Sequence, residues 1–393
     1  MATADVVVIG GGVNGLSTAF NLARLGVENV VVLERGELAS GASGKSGALV
    51  RMHYTNPYES KLAYESLKIF QNWNDEVGGD CGWHQPGFVQ VVAPGYEEQL
   101  EANVRDQQAI GIDTTVVTPD ELKKLFPEMR VDDIGAAAYE ESSGWADPNA
   151  TAYAFAEAAR RLGVDIHTHC EVTSIGVNNG RISAVNTTEG RFDTETVIVA
   201  AGVGASKLLG PLGLDFGLVP YRTKVALFRW PPAFKGPQPV VIDAIGDAWM
   251  RPEDGNLTLI GAESGSHQGA VDGFDQTIDN DYVEVARGVL ANRFPAFATA
   301  TMRGGWAGLY TMSPDHRPII DQISSIDGLF CMVGDSGSSF KTSPAIGRCL
   351  AEWVVHGEPQ TADLSPFSAD RFDGENPWLD EENYGRRNRT ISR

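Results

Sequence analysis

The chain has 393 residues, with 31 Lys and Arg against 52 Asp and Glu, so its formal net charge is −21. This charge argues against a nucleic-acid-binding protein, because such proteins bind phosphates through cationic surfaces. A hydrophobic content of 42% and a charged content of 21% are typical of a globular protein, and the length allows two domains with a large core.

No apolar run approaches the roughly 18 residues of a transmembrane helix. The first predicted strand begins by residue 5, which leaves no room for a signal peptide, so we expect a cytoplasmic protein. The 4 cysteines have no C-x-x-C spacing and the 7 histidines no metal-ligand spacing. The sequence therefore predicts buried, reduced thiols and no metal site.

The N-terminal segment has the pattern of a dinucleotide-binding unit. An apolar run at residues 6–9 predicts a buried parallel strand. Gly10, Gly12 and Gly15 then form G-x-G-x-x-G, followed by helix-compatible residues. The first glycine permits a tight turn, the second lets a pyrophosphate approach the backbone, and the third lets the helix pack closely on the strand. The helix N-terminus offers N–H groups to the phosphates.

A second apolar run, at residues 30–33, ends at Glu34. A carboxylate at the tip of the second strand accepts hydrogen bonds from ribose hydroxyls. Strand, turn, helix, strand and acid in this order predict a dinucleotide site rather than a purely structural turn. Glu34 would repel a 2′-phosphate, which makes NADP the least suitable ligand and leaves FAD or NAD.

Residues 40–77 hold a loop of small residues, a segment of bulky residues with a cation, and an amphipathic stretch. Segment 40–47 is rich in Gly and Ser, and its backbone N–H groups suit close approach to a phosphate or a flat ring. Segment 49–54 places Arg51 among bulky side chains. Residues 57–77 have the spacing of an amphipathic helix.

The middle of the chain alternates helices with short strands. A strand at 87–92, a helix at 97–110 and a helix capped by Thr118 predict an excursion into a second domain. The helix at 150–162 leads into short strands at 165–169, 172–177, 181–186 and 196–199, and the last of these ends in a small-residue turn at 200–202.

The remaining elements predict a second β-rich region and a return to nucleotide-binding elements. Residues 216–262 are β-rich, and a helix follows at 280–293. Mixed strand and turn at 306–320 precede a buried strand at 329–333. A Gly/Ser-rich segment then leads to Pro344, which suits the first position of a helix continuing to residue 355.

This interleaving predicts the fold class α/β, with a Rossmann-type dinucleotide-binding domain and an interleaved, β-rich α+β substrate domain. The predicted boundaries are 1–80, 147–215 and 305–375 for the first domain, 81–146 and 216–304 for the second, and 376–393 for a C-terminal tail. In the tail, Arg386, Arg387, Arg389 and Arg393 predict a solvated segment or, alternatively, a docking segment for a partner subunit.

The motifs together resemble the D-amino-acid-oxidase-like flavoprotein family, which includes glycine oxidase, sarcosine oxidase and dimethylglycine dehydrogenase. The resemblance follows the family's order along nearly the whole chain. It is carried by the glycine fingerprint with Glu34 and by segments 42–47, 197–202, 249–252, 260–261, 313–320, 334–347 and 367–372.

The resemblance implies FAD as the cofactor. Gly308 stands where some relatives attach the flavin through a cysteine, so non-covalent FAD is expected. The N-terminus of the helix near Pro344 would stabilise the negative charge of a reduced flavin. The implied cofactor-binding residues are Gly10, Gly12, Val13, Asn14, Gly15, Glu34, Arg35, Ser43, Gly44, Lys45, Ser46, Gly47, Ala48, Val172, Ala201, Gly202, Gly308, Asp335, Gly337, Ser338, Ser339, Phe340 and Lys341.

The sarcosine-oxidase branch is locally the most similar, and it implies that Arg51 and Lys341 grip a substrate carboxylate. A structural ion pair for Arg51 and a solvated Lys341 are the alternatives. His53 is the candidate base, which completes the implied catalytic set. The implied substrate-binding residues are Arg51, Tyr54, Trp249, Arg251, Tyr310 and Lys341, with a role in the core as the alternative for Trp249 and Tyr310.

These implications describe oxidation of the C–N bond of a small amino acid or N-alkyl amino acid, such as sarcosine, dimethylglycine or proline. Hydride transfer to flavin N5 would give an imine that hydrolyses, and oxygen or another acceptor would take the electrons. Thr258 stands where some relatives have a lysine that promotes reaction with oxygen, which favours a dehydrogenase. The alternatives are oxidation of a hydroxy acid or glycerol phosphate, a flavin subunit of a multisubunit dehydrogenase or other oligomer assembled through the tail, and an NAD-dependent Rossmann enzyme.

Overall fold

The computed structural model describes residues 2–271, 273–372, 378 and 384. Its helices are α1 (Val13–Arg24), α2 (Pro57–Gln71), α3 (Trp73–Glu76), α4 (Glu97–Ala109), α5 (Pro119–Leu125), α6 (Pro148–Arg161), α7 (Ala205–Leu209), α8 (Asn280–Arg293) and α9 (Ser343–His356). Its strands are β1 (Ala2–Thr3), β2 (Val6–Ile9), β3 (Val30–Leu33), β4 (Leu49–Val50), β5 (Phe88–Val92), β6 (Thr115–Val117), β7 (Ala136–Glu140), β8 (Gly144–Trp145), β9 (Asp165–His167), β10 (Val172–Asn178), β11 (Arg181–Thr187), β12 (Gly190–Asp193), β13 (Val197–Val199), β14 (Val219–Arg229), β15 (Val240–Asp243), β16 (Ala248–Glu253), β17 (Leu257–Ala262), β18 (His267–Gln268), β19 (Met302–Met312), β20 (Ile319–Gln322) and β21 (Leu329–Val333).

A six-stranded sheet carries the N-terminal motif. Its strand order is β20-β21-β13-β2-β3-β9, and every neighbouring pair is parallel except β20 with β21. The central strands are buried on both faces, which explains their continuous Val and Ile runs. One face packs against α1, α2, α6 and α9, and the other against α7 and a small sheet of order β1-β12-β11-β10.

A nine-stranded, mostly antiparallel sheet forms the second part of the molecule. Its order is β18-β14-β17-β16-β15-β5-β7-β6, with β19 paired to β14. The long strands β14 and β19 pair in antiparallel register from Val219 with Met312 to Phe228 with Met302. Helices α5 and α8 cover one face with a separate apolar core. The predicted α/β class, with a Rossmann-type sheet and a second β-rich part, is confirmed, whereas the exact domain boundaries stay a prediction.

The sequence prediction was wrong at a few local positions. The predicted helix at 57–77 is broken at Asn72, whose backbone (φ −117°, ψ 30°) leaves the helical region, so that α2 and α3 are separate. Strands β12 and β15 were not predicted, although β15 pairs in parallel with β5 at the centre of the large sheet. Pro344 is the second residue of α9 rather than the first.

The C-terminal tail is described at two positions, and at both the expectation of a solvated chain is wrong. Trp378 is half-buried and packs edge-on against Phe367, with ring centroids 5.1 Å apart. Tyr384 is 4% exposed and packs on α4, β5 and β7. The physical reason is that both are large aromatic side chains that bury apolar area on the rest of the chain. The arginine cluster Arg386, Arg387, Arg389 and Arg393 lies outside the described residues.

Across the described ranges, the longest apolar helices are too short or too polar to traverse a lipid bilayer.

Candidate active site

The turn between β2 and α1 is too tight for side chains. Gly10 has φ +118°, and a Cβ there would lie 2.3 Å from the carbonyl oxygen of Ala200. A Cβ on Gly15 would lie 2.1 Å from the carbonyl oxygen of Gly10. These contacts hold the start of α1 against the carboxyl ends of β2 and β13, where ligands of open α/β sheets bind.

The carboxylate of Glu34 is held by this turn. Its Oε2 accepts a hydrogen bond from the Gly11 N–H at 2.7 Å, and its Oε1 accepts one from the Gly36 N–H at 2.8 Å. The Ser43 hydroxyl accepts a bond from the Val13 N–H at 3.1 Å, at the N-terminus of α1. Glu34 and Ser43 therefore bring β3 and the loop after it to the same edge of the sheet.

Two adjoining cavities run from this edge toward the large sheet. The first, of about 420 Å³, is lined by the glycine turn, Glu34 and the residues that follow β13. The second, of about 160 Å³, extends to Arg51 and Lys341. Residues lining both, such as Asn14 and Tyr310, make the space continuous.

The space fits a dinucleotide with a flat ring. It begins at a helix N-terminus and a fixed carboxylate, which match a pyrophosphate and a ribose. The Oδ1 of Asn14 is buried and has no hydrogen-bond partner among residues 2–271 and 273–372. A bound ligand with a donor group would satisfy this atom, since buried polar atoms without partners are costly.

Nearly all predicted cofactor-binding residues line one of the two cavities. Those that do are Gly10, Gly12, Val13, Asn14, Glu34, Arg35, Ser43, Lys45, Ser46, Gly47, Ala48, Val172, Ala201, Gly202, Gly308, Asp335, Gly337, Ser338, Ser339, Phe340 and Lys341. Gly15 and Gly44 do not. Gly15 packs on Gly10, and a Cβ on Gly44 would lie 2.5 Å from Oδ1 of Asn149, so both are close-packing positions rather than ligand contacts.

Arg51 and Lys341 meet at the far end of the smaller cavity. The guanidinium carbon of Arg51 lies 4.4 Å from the centroid of the Tyr54 ring. The Nζ of Lys341 donates to Tyr54 Oη at 2.8 Å and to the Ser338 carbonyl at 3.1 Å. Both cations are buried and both line the cavity, so this end is suited to an anion such as a carboxylate.

Tyr54 is not itself a cavity wall, contrary to the sequence prediction. It is 1% exposed and lies between the two cations, with its hydroxyl 3.4 Å from the Ser338 carbonyl oxygen. The ring therefore supports Arg51 by a cation–π contact and Lys341 by a hydrogen bond. Tyr54 thereby contacts both cations at once.

The structure does not place His53, the predicted base, at the cavity. It is fully buried and lines neither cavity, and its Nε2 lies 2.6 Å from Tyr384 Oη. Burial and the nearby positive charge of Arg51 lower the pKa of His53 from 6.5 to about 3. The imidazole is therefore neutral at physiological pH and points away from the space where a substrate would bind.

Because the pKa of His53 is lowered in the folded chain, we expect the stability of the fold to depend on pH. Between its unfolded pKa of about 6.5 and its folded pKa of about 3, the unfolded chain binds a proton that the folded chain does not. The free energy of unfolding should therefore decrease as the pH falls through this window. In His53→Gln the decrease between pH 7 and pH 5, measured by urea unfolding, should be smaller. Equal decreases in both proteins would contradict the assignment.

Arg251 does not lie at the cavity either. It is 2% exposed, lines neither cavity, and donates from Nε to the Gly47 carbonyl at 2.6 Å. Its guanidinium carbon lies 3.9 Å from the Trp145 ring centroid, and its Nη2 is 2.9 Å from Glu253. Arg251 therefore supports the backbone of Gly47 from outside the cavity.

Trp249 and Tyr310 line the smaller cavity, so their substrate-binding role stays a prediction. The Trp249 ring closes so tightly on Gly47 that a Cβ there would lie 2.3 Å from it. Tyr310 lies at the junction of the two cavities.

Thr258 gives no information about oxygen use. It is buried in the large sheet, where its hydroxyl donates to Gln238 at 2.6 Å and accepts from Trp230 at 3.0 Å, and it lines neither cavity. The family resemblance placed it at the flavin, but no residue of its strand β17 lines either cavity, whereas the neighbouring strands β14 and β16 contribute Thr223, Val225 and Trp249.

Other cavity residues were not predicted. In the smaller cavity they are Thr223, Val225, Ile242, Glu263 and Leu309, the last of which also lines the larger cavity. Thr223 and Val225 are two residues apart in β14, so the sequence could have shown that they share one face of the strand. It could not have shown that this face lines the cavity. Phe274 and Gln276 line the larger cavity from the connection between β18 and α8, which has no recognisable pattern.

From the residues that line the two cavities we predict that the cofactor is not covalently bound. Among the lining residues there is no cysteine or histidine, and Cys81, Cys170, Cys331 and Cys349 are all buried elsewhere. Acid precipitation of the holoprotein should release all of its yellow colour into the supernatant. Colour retained in the pellet would show a covalent bond.

Fold and site together define a dinucleotide-binding protein whose cavity is lined by two buried cations, Arg51 and Lys341. The comparisons with known proteins specify the family. The model of the DAO family, described as FAD dependent oxidoreductase, matches residues 5–353, and the chain belongs to this family. Its cofactor is FAD, which the residues at the cavity fit.

Known relatives cover nearly all of the chain. Mouse (Mus musculus) mitochondrial sarcosine dehydrogenase is 29% identical over 391 residues, covering 94% of this chain but 42% of its own length. Sarcosine oxidase subunit beta of Arthrobacter sp is 28% identical, covering 94% of this chain and 91% of its own. The solved structure of L-proline dehydrogenase from P. horikoshii has a TM-score of 0.87 at 24% identity, covering 96% of this chain and 100% of its own, and shows the same fold. The chain thus spans less than half the length of the mouse enzyme.

Proposed function

We propose that the protein oxidises the C–N bond of a small amino acid or N-alkyl amino acid. The observation that carries this proposal is the convergence of Arg51 and Lys341 on one ring at the end of the cavity. Similarity to sarcosine dehydrogenase and sarcosine oxidase subunit beta supports it. FAD, when bound, supplies the two-electron acceptor for such an oxidation.

The residues of the chain bind and orient the substrate. Two buried cations would hold the carboxylate, and Trp249, Ile242 and Leu49 form apolar walls that exclude water from the rest of a small substrate. Fixing the carboxylate at one end places the carbon beside nitrogen at a defined distance along the cavity. His53 is not proposed as a general base, because it is buried and lines neither cavity.

Anaerobic reduction of the bound flavin tests this function. Sarcosine, dimethylglycine, glycine and L-proline are compared with lactate and glycerol 3-phosphate by loss of the flavin absorbance. Bleaching by members of the first group alone is the expected result. Bleaching by lactate or glycerol phosphate alone would establish the alternative reaction on this fold.

A second candidate is a flavin subunit of a larger assembly. It is favoured by the 91% coverage of sarcosine oxidase subunit beta, a protein named as one subunit of an enzyme. Activity of the isolated chain eluting as a monomer or homo-oligomer would contradict this candidate. The electron acceptor, oxygen or another carrier, follows from comparing aerobic turnover with turnover in the presence of an artificial dye. As the sequence predicts, we also propose that the protein resides in the cytoplasm.

A further inference from the structure

The segment that carries Arg51 into the cavity has no regular structure of its own. It joins β4 (Leu49–Val50) to α2, which begins at Pro57. Its position therefore depends on contacts made by neighbouring elements. Because Arg51 lines the cavity and is 3% exposed, a small displacement of this segment would move the guanidinium relative to a bound anion.

Two of these contacts come from the large sheet and from α4. The carboxylate of Glu140 in β7 accepts a hydrogen bond from the Met52 N–H at 3.0 Å and one from the Ser143 hydroxyl at 2.5 Å. Burial raises the pKa of Glu140, against the opposing effect of these bonds and of Arg51. The second contact comes from α4, where Gln107 Nε2 donates to the Tyr54 carbonyl at 3.0 Å.

A third contact comes from the C-terminal end of the chain. The hydroxyl of Tyr384 lies 2.6 Å from His53 Nε2, and the two rings stack with centroids 5.8 Å apart. Asn103 of α4 donates to the same hydroxyl at 2.8 Å. The Tyr384 ring is 4% exposed and belongs to an apolar cluster with Val92 and Leu100.

We propose that Tyr384 is a positioning residue for the active site: through His53, its hydroxyl fixes the segment that presents Arg51 to the substrate carboxylate. Tyr384 thereby supports a site whose lining residues lie between residues 9 and 341. This assignment also gives His53 a function that its burial permits, namely to transmit the contact of Tyr384 to the backbone beside Arg51. The consequence for substrate binding rests on the proposed function, whereas the effect on the segment does not.

Tyr384→Phe removes the hydroxyl and keeps the ring in its apolar cluster. Ser368→Ala is the matched control, because it also removes a hydroxyl hydrogen bond from the last part of the chain, the 2.8 Å bond to Asp321, and its partner lies in β20 rather than in the segment that carries Arg51. Both variants are examined as FAD-loaded full-length protein. Hydrogen–deuterium exchange is measured on peptides covering residues 49–56, and the dissociation constant of acetate from the change in flavin absorbance, with acetamide as the neutral comparison.

In Tyr384→Phe we expect faster exchange at residues 51–54 and acetate binding weakened by about tenfold, the scale of one buried hydrogen bond, with flavin content unchanged. Ser368→Ala should change neither quantity. Unchanged exchange at 51–54, faster exchange spread equally over the molecule, or unchanged acetate affinity despite faster exchange would each overturn the inference. Failure of acetate to bind even the wild-type protein would count against the proposed function, and the exchange result alone would then decide the inference.

Discussion

Replacing Arg51 or Lys341 with alanine is expected to weaken binding of a carboxylate ligand by roughly 10- to 100-fold while the flavin stays bound. The range follows from the loss of one hydrogen bond to a charged group, about 1.5–3 kcal/mol. Both side chains are buried at the cavity, where the low dielectric strengthens their attraction for an anion. The measurement is titration of acetate against the flavin spectrum of each variant.

The two single variants should not be independent. Arg51 and Lys341 share Tyr54, one through its ring face and the other through its hydroxyl. Removing either cation also changes the support of the other, so the effect of the double variant should differ from the sum of the two. Acetamide, which has no charge, should bind all four proteins with similar affinity. Unchanged acetate affinity in both single variants would refute the assignment of these residues.

An exposed lysine provides the control for general electrostatics. Lys68 lies on the outer surface of α2, where it pairs with Glu65 at 2.9 Å, with 48% of its side chain exposed. Lys68→Ala changes the net charge by the same amount as Lys341→Ala. Because exposed charges are screened by water and salt, it should leave acetate affinity unchanged. A similar loss in this variant would mean that the measured effect is not specific to the cavity.

The sequence predicted the elements whose signals are local. Helix α8 was predicted with its observed bounds, since Asp279 caps it by accepting from the Tyr282 N–H at 2.8 Å and Arg293 ends it. The glycine turn and Glu34 were predicted because their spacing is set by the geometry of one strand, one turn and one helix. In each case the evidence lies within a few residues of the feature.

The sequence could not assign side chains in irregular segments. Arg51, His53 and Tyr54 are near neighbours, yet one lines the cavity, one faces Tyr384 and one lies between the two cations. No periodicity governs the direction of side chains outside helices and strands. Arg251 failed for a related reason, since a buried arginine beside a cavity can equally well support the backbone that forms its wall.

Only the family resemblance could predict that residues far apart in the sequence lie together in the site. Arg51 and Lys341 are 290 residues apart in the sequence, and nothing in either segment indicates that they share one aromatic ring. The central strand β15 was missed because its short apolar run has no alternation, and its burial depends on β5 and β16 on either side. These features depend on tertiary contacts, which local patterns do not encode.

Gly15→Ala is expected to cause loss of FAD, whereas the chemically identical change Gly288→Ala is not. Both glycines lie within helices, Gly15 in α1 and Gly288 in α8. A Cβ on Gly15 would lie 2.1 Å from the Gly10 carbonyl oxygen, and no rotamer can relieve a contact with backbone. A Cβ on Gly288 would meet no atom within 4 Å. Helix propensity alone favours alanine at both sites by about 1 kcal/mol.

The contact must therefore displace the start of α1 from the turn, and overpacking of this kind costs about 1–3 kcal/mol. The displacement affects the atoms that would face the pyrophosphate, so FAD affinity should fall together with the melting temperature. The measurements are the ratio of flavin to protein absorbance after purification and the melting temperature of the apoprotein and of the FAD-loaded protein. In Gly15→Ala the increase in melting temperature caused by added FAD should be reduced or lost, while Gly288→Ala should keep the wild-type increase. A Gly15→Ala protein that binds FAD with wild-type affinity would show that this turn does not hold the cofactor. A lower melting temperature without a loss of FAD affinity would reflect only the packing of α1.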